Sequence, residues 1–139
     1  MRKVFDVNTF GVALLGKHLL PVLPRRERAV FGTFSARVGS IDDNRLGGWY
    51  SYRASKAAQN MIVKTLALEA SRKRPELICV ALHPGTVKTD LSQPFSSRVP
   101  PGKLFSAEQS CQYLSEVLSG LTPEDTGGFF AWDGESIPY

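Results

Sequence analysis

Residues 47–58 read Gly47-Gly48-Trp49-Tyr50-Ser51-Tyr52-Arg53-Ala54-Ser55-Lys56-Ala57-Ala58, turning within one short stretch from glycines and aromatics to strong helix formers. Glycines read as loop, and the alanines, arginine and lysine after them as helix. The helix so opened is expected to run from about Ser51 to Arg72 and to carry Tyr52 and Lys56 one turn apart on a shared face. At about 6 Å and an effective dielectric of about 20, an ammonium attracts a phenolate by about 2.8 kcal/mol, or about two pH units on a phenol that starts near 10. In open water the same pair is worth about 0.7 kcal/mol, so it acts near neutral pH only under cover. Chance alone places a Tyr-x-x-x-Lys pair in about one chain in five of this composition, so the pair takes its meaning from what surrounds it.

Working outward, Ala29-Val30-Phe31-Gly32-Thr33-Phe34 is short, apolar and β-prone without alternation, which predicts a strand buried on both faces of a parallel sheet. Residues 39–49 between that strand and the helix have the Gly, Asp and Asn content of a loop. Before the strand, apolar residues from Phe5 to Leu23 recur at helical spacing until Pro21 and Pro24. After the helix, Leu77-Ile78-Cys79-Val80-Ala81-Leu82 reads as a second buried strand, broken by Pro84-Gly85. Residues 90–106, rich in Ser, Pro and Gly, read as a long loop or lid. A third helix is expected over Ala107–Ser119 with Ser106 as its N-cap, and a third strand over Gly127–Trp132. In the long helix, Ala54, Ala57, Ala58, Met61, Ile62, Thr65 and Leu66 form a small-residue stripe suited to packing against another helix. Helix, strand, helix, strand, helix, strand is the grammar of an α/β layered fold with right-handed crossovers.

At 139 residues and 42% hydrophobic content, the chain is one domain's worth of an ordinary globular protein. The net charge of +4 is spread along it, with only Arg25-Arg26-Glu27-Arg28 and Arg72-Lys73-Arg74 clustering, so no nucleic-acid partner is expected. Cys79 and Cys111 form no Cys-x-x-Cys pair, and His18 and His83 lie far apart, so neither zinc nor another metal is expected. Reduced thiols fit a cytoplasmic setting. Asp6, Asn8, Lys17 and His18 interrupt the one stretch resembling a signal peptide, and no apolar run is long enough to span a bilayer. No Gly-x-Ser-x-Gly elbow supports a serine hydrolase.

The ordered set "LGGWYSYRASKAAQNMIVKTLALE", "HPGTVKTDL" and "GGFFAWDGESIPY" resembles the short-chain dehydrogenase/reductase family, most closely its C-factor and sniffer-like carbonyl reductase branch. The resemblance covers nearly the whole chain and implies a Rossmann-like doubly wound parallel sheet. Carried over by position, Tyr52 matches the acid/base tyrosine, and Lys56 the lysine that lowers its pKa and binds the nicotinamide ribose. Asn8, in "DVNTFG", matches the helix asparagine that holds a water in the proton relay. Pro84, Gly85, Val87 and Thr89 match the Pro-Gly-x-Val-x-Thr segment that faces the nicotinamide carboxamide, at the carboxyl end of a parallel strand where open α/β sheets bind ligands.

The family's substrate-orienting serine aligns with Ala36, which leaves Ser35 and Ser40 as the available hydroxyls, with Ser35 the nearer and the one assigned. No glycine-rich pyrophosphate turn follows a strand, so residues 1–139 are expected to be the second half of such a domain, lacking the first dinucleotide-binding βαβ unit. Two readings follow. One is an NAD(P)-dependent carbonyl reductase or alcohol dehydrogenase of truncated form, using NADP(H) over NAD(H) on a small carbonyl or alcohol substrate. The other is a non-catalytic association module, since the family's two long helices, matching residues 5–23 and 51–72, assemble dimers or tetramers.

Overall fold

The structure is a computed structural model that describes residues 1–90, 92–93 and 99–139. Part of the expected lid, residues 91 and 94–98, lies outside the described residues. The chain opens with α1 (Arg2–Phe5), a π-helical turn (Asp6–Phe10), α2 (Gly11–Leu19) and a 3₁₀ turn (Leu20–Val22). These follow one another as a single rod that starts earlier than Phe5 and contains a π turn that apolar spacing does not signal. Pro21 sits at the start of the last turn, where a missing N–H costs nothing, and Leu23 leaves in extended conformation.

Strand β1 (Ala29–Phe34) follows, then a 3₁₀ turn (Arg37–Gly39), the long α3 (Tyr50–Ser71) and β2 (Leu77–His83). Helix α4 (Ala107–Gly120) and β5 (Phe129–Ala131) complete the main α/β layers. The expected N-cap holds: Gln109 N–H donates to Ser106 Oγ at 3.2 Å while Ser106 N–H donates to Gln109 Oε1 at 3.0 Å. Two short strands lie in the segment read as turn and loop. β3 (Thr86–Val87) pairs in parallel with β4 (Leu104–Phe105), too few residues in each for a period to register.

The three-stranded sheet has the order β1-β2-β5 and is parallel throughout, with Ala29 opposite Leu77 and Ala81 opposite Phe129. Because side chains alternate across a strand, the central β2 serves two cores. On one face Leu77, Cys79 and Ala81 meet Val63, Ala67 and Ala70 of α3, while on the other Ile78, Val80 and Leu82 meet Leu114 of α4 and Leu121. Burying each of the larger aliphatics contributes about 1.5–3 kcal/mol, which makes β2 the structural axis.

Two expectations need correction. β1 is not buried on both faces: Phe31 and Thr33 are buried, but Phe34 is 65% exposed, since β1 is an edge strand and α4 covers only part of its outer face. The small-residue stripe, expected to meet another helix, has only part of its length covered, with Leu66 against Gly16 of α2, and α3 turns a different face to the sheet. The buried face is Ser55, Lys56, Gln59, Asn60, Val63, Ala67 and Ala70, polar over its first two turns, whereas Ala54, Met61 and Thr65 of the stripe are exposed.

Candidate active site

The carboxyl ends of β1 and β2 lie side by side, Phe34 opposite Leu82 and Ser35 N–H donating to Leu82 O at 2.7 Å. Helix α3 enters this end of the sheet from a loop that its own first turn holds in place. Gly47 and Gly48 adopt φ of 63° and 72°, and Arg53 Nε donates to both their carbonyls at 3.1 Å. Arg53 Nη1 also donates to Val38 O at 3.2 Å, which ties the loop to the turn after β1. Sequence reasoning passed over Arg53, although an arginine in the first turn of a helix that follows two glycines was a signal.

Lys56 is buried with 8% of its surface exposed, and its Nζ donates to Phe34 O at 2.7 Å and to Gln59 Oε1 at 2.9 Å. Burial pulls its pKa down to about 8. The ammonium lies 5.9 Å from the centre of the Tyr52 ring, the spacing expected for residues one turn apart. Among the described residues nothing hydrogen-bonds the Tyr52 hydroxyl, and burial raises its pKa. This direction differs from the lowering the pair was expected to produce. Desolvation of the phenolate is the dominant cause, and the lysine gives its protons to neutral oxygens beneath the helix.

Asn8 stands in the π turn, where its Nδ2 donates to Ser55 Oγ at 3.1 Å. Thr9 Oγ1 donates to Ser55 O at 3.0 Å, and Ser55 Oγ to Tyr52 O at 2.8 Å. The π turn thus reaches the backbone of Tyr52 through one buried serine, a setting in which such turns recur at functional sites. Ser35 is buried and its hydroxyl donates to Asn60 Oδ1 at 2.6 Å. Ser40 is buried as well, yet its Oγ only accepts, from Asp43 N–H at 3.0 Å. Asn60 Nδ2 and His83 Nδ1 are buried without a partner among the described residues.

Pro84 and Gly85 leave the end of β2, and Pro84 O accepts from Ser110 Oγ at 2.9 Å. Gly85 has a φ of 77°, and a Cβ there would fall 2.6 Å from the Phe105 ring, so only glycine lets the turn pass the Phe105–Trp132 pair. Val87 lies in β3, and Val87 O accepts from the Thr89 hydroxyl at 3.4 Å and from Ser92 Oγ at 2.5 Å. Asn8 is therefore tied through Ser55 to the backbone of Tyr52, Lys56 is tied to the end of β1, and Pro84-Gly85 continues from the strand beside it. No group of three or more His, Cys, Asp or Glu among the described residues is placed to hold a metal. Among the same residues no helix is long and apolar enough to cross a membrane.

A parallel sheet flanked by helices, with crossovers between its strands, defines an α/β protein of the Rossmann-like, doubly wound class. Residues 1–100 match the family model for short chain dehydrogenase, and the chain belongs to that family. It is 34% identical to C-signal of Myxococcus xanthus over all of this chain and 78% of the relative. Among solved structures it superposes on the carbonyl reductase Sniffer of D. melanogaster with a TM-score of 0.83 at 32% identity, over 97% of this chain and 55% of that one. An NADPH-bound carbonyl reductase from chicken fatty liver gives a TM-score of 0.85 at 32% identity, over all of this chain and 57% of that one. The chain thus spans little more than half the length of these two reductases.

Proposed function

We propose that the chain carries the proton-transfer machinery of a nicotinamide-dependent carbonyl reductase, with NADP(H) preferred over NAD(H). The observation that carries this reading is the buried Lys56 ammonium 5.9 Å from the centre of the Tyr52 ring, whose hydroxyl has no hydrogen-bond partner among the described residues. The residues present suit the nicotinamide end of such a cofactor: an ammonium and a phenol to meet ribose hydroxyls, and the turn through Pro84, Gly85, Val87 and Thr89 to meet the carboxamide. Kinship with an NADPH-bound carbonyl reductase supports the choice of NADP(H). When bound, the cofactor supplies hydride to the carbonyl carbon of a small aldehyde or ketone.

Tyr52 gives its phenolic proton to the carbonyl oxygen, and takes it back in the alcohol direction. Lys56 stabilises the phenolate left behind, more strongly for being out of bulk water. Asn8, through Ser55, holds the turn of α3 that bears Tyr52 and stands ready to fix a relay water. Ser35 orients a substrate oxygen only by leaving Asn60, whereas the Ser40 proton is uncommitted among the described residues.

Titration of the chain with NADPH and NADH, followed by nicotinamide fluorescence and by turnover of a generic aldehyde, tests this. Micromolar binding and a turnover that Tyr52→Phe abolishes support it. A folded chain that binds neither nucleotide rejects it and favours the second reading, an association module. That reading draws support from the apolar residues Phe10, Leu14, Leu15, Met61 and Leu68, exposed on the rod and α3.

A further inference from the structure

Gln59 is one of the most enclosed polar side chains in the molecule, with 1% of its surface exposed. Its amide spans the gap between β1 and α3. Nε2 donates to Thr33 Oγ1 at 3.1 Å and to Phe34 O at 3.0 Å, while Oε1 accepts from Lys56 Nζ at 2.9 Å. The orientation of the amide is dictated by its neighbours: Phe34 O can only accept and Lys56 Nζ can only donate, so nitrogen must face the strand and oxygen the lysine. Phe34 O, with two lone pairs, serves both residues.

We propose that Gln59 is a positioning residue for Lys56: anchored to the end of β1, it presents an oxygen that keeps the ammonium beneath Tyr52. The lysine needs such a partner, because no carboxylate is among its contacts and an isolated buried charge is costly. The titratable or charged groups on the elements around it are Tyr50, Tyr52, Arg53, Lys64 and Glu69 of α3, Arg37 of the 3₁₀ turn, Asp6 of the π turn, and Cys79 and His83 of β2. None of these contributes to the displaced titration of Lys56, which burial alone accounts for. Two neutral oxygens, Phe34 O and Gln59 Oε1, therefore balance that burial. The role assigned to Gln59 rests on the reading of Lys56 as an assisting group, but its test does not.

The test is a carbon-13 NMR titration of lysine-labelled 139-residue chain, with the Lys56 resonance identified by its loss in Lys56→Arg. Gln59→Leu removes the acceptor and is expected to lower the Lys56 midpoint by about one pH unit. Gln59→Glu supplies a carboxylate and is expected to raise it by about as much. Thr33→Val, nearly isosteric, leaves Gln59 in place but loosens its anchor, and is expected to lower the midpoint by less; it decides the matter should Gln59→Leu fail to fold by circular dichroism. Midpoints that coincide with wild type in the folded variants overturn the proposal. Because nothing is turned over, a chain that binds no nucleotide can still show these shifts, which separates failure of the catalytic reading from failure of this one.

Discussion

A Cβ placed on Gly39 would stand 2.7 Å from the Cβ of Lys56 and 2.9 Å from its carbonyl carbon. The 3₁₀ turn after β1 therefore lies directly against α3 at the residue whose ammonium matters most. Gly39→Ala is expected to destabilise the chain by about 1–3 kcal/mol, since backbone rather than a flexible side-chain end has to move. Denaturant unfolding measures this, and an unchanged midpoint would mean the turn has room to spare.

Tyr52→Phe separates chemistry from architecture. The hydroxyl has no partner among the described residues, so its loss is expected to shift stability by no more than about 0.5 kcal/mol. Aldehyde turnover is expected to fall by a factor of about 100 or more, the contribution of a positioned proton donor. Activity that survives in a folded Tyr52→Phe chain assigns the proton to another group.

Lys56 leaves a signature in the pH dependence of stability. Its pKa is pulled to about 8 in the folded chain from 10.5, so between those values the unfolded chain binds more protons. Stability on this account rises with pH through that window, the cost of the buried ammonium being fully felt below it. Lys56→Met abolishes the rise, and its advantage over wild type should shrink as pH climbs from 8 to 10.5. The comparison cancels Cys79, whose thiol burial pushes up to about 11 and which acts in the opposite sense. A difference between the two chains that does not vary with pH refutes the assignment.

Leu14 is 56% exposed on α2 and Met61 67% exposed on α3. Large apolar side chains exposed on two helices that pack together make a candidate contact site. Leu14→Glu and Met61→Glu are each expected to shift a self-associated chain toward monomer in light scattering. A wild-type chain that is already monomeric would show that these helices do not assemble it.

Much of this was legible in advance, and the failures share a cause. β1 falls on residues 29–34 as read, and β2 and α4 within a residue, because Pro84-Gly85 and the Ser106 cap are punctuation that local physics enforces. Tyr52, Lys56 and the Pro84-Gly85 turn were visible through spacing and order. The inward face of α3 was not, because Ser55, Lys56, Gln59 and Asn60 are polar yet buried, and polarity in a sequence reads as exposure. Local pattern and burial disagree where a site is built, and the polar network they form was hidden for that reason. The π turn around Asn8 was equally silent, since it alters hydrogen bonding without altering which residues are apolar.

The strand order has a consequence for how the molecule is made. Every ladder in the β1-β2-β5 sheet joins segments separated by a whole crossover, so neither β1 nor β5 pairs through a short hairpin. Loop closure must come before any sheet contact rewards it, which slows folding relative to a helical protein of this length. On the ribosome, β1 waits with Phe31 uncovered until α3 and β2 have emerged to bury it, and that interval is when the nascent chain is most exposed to aggregation.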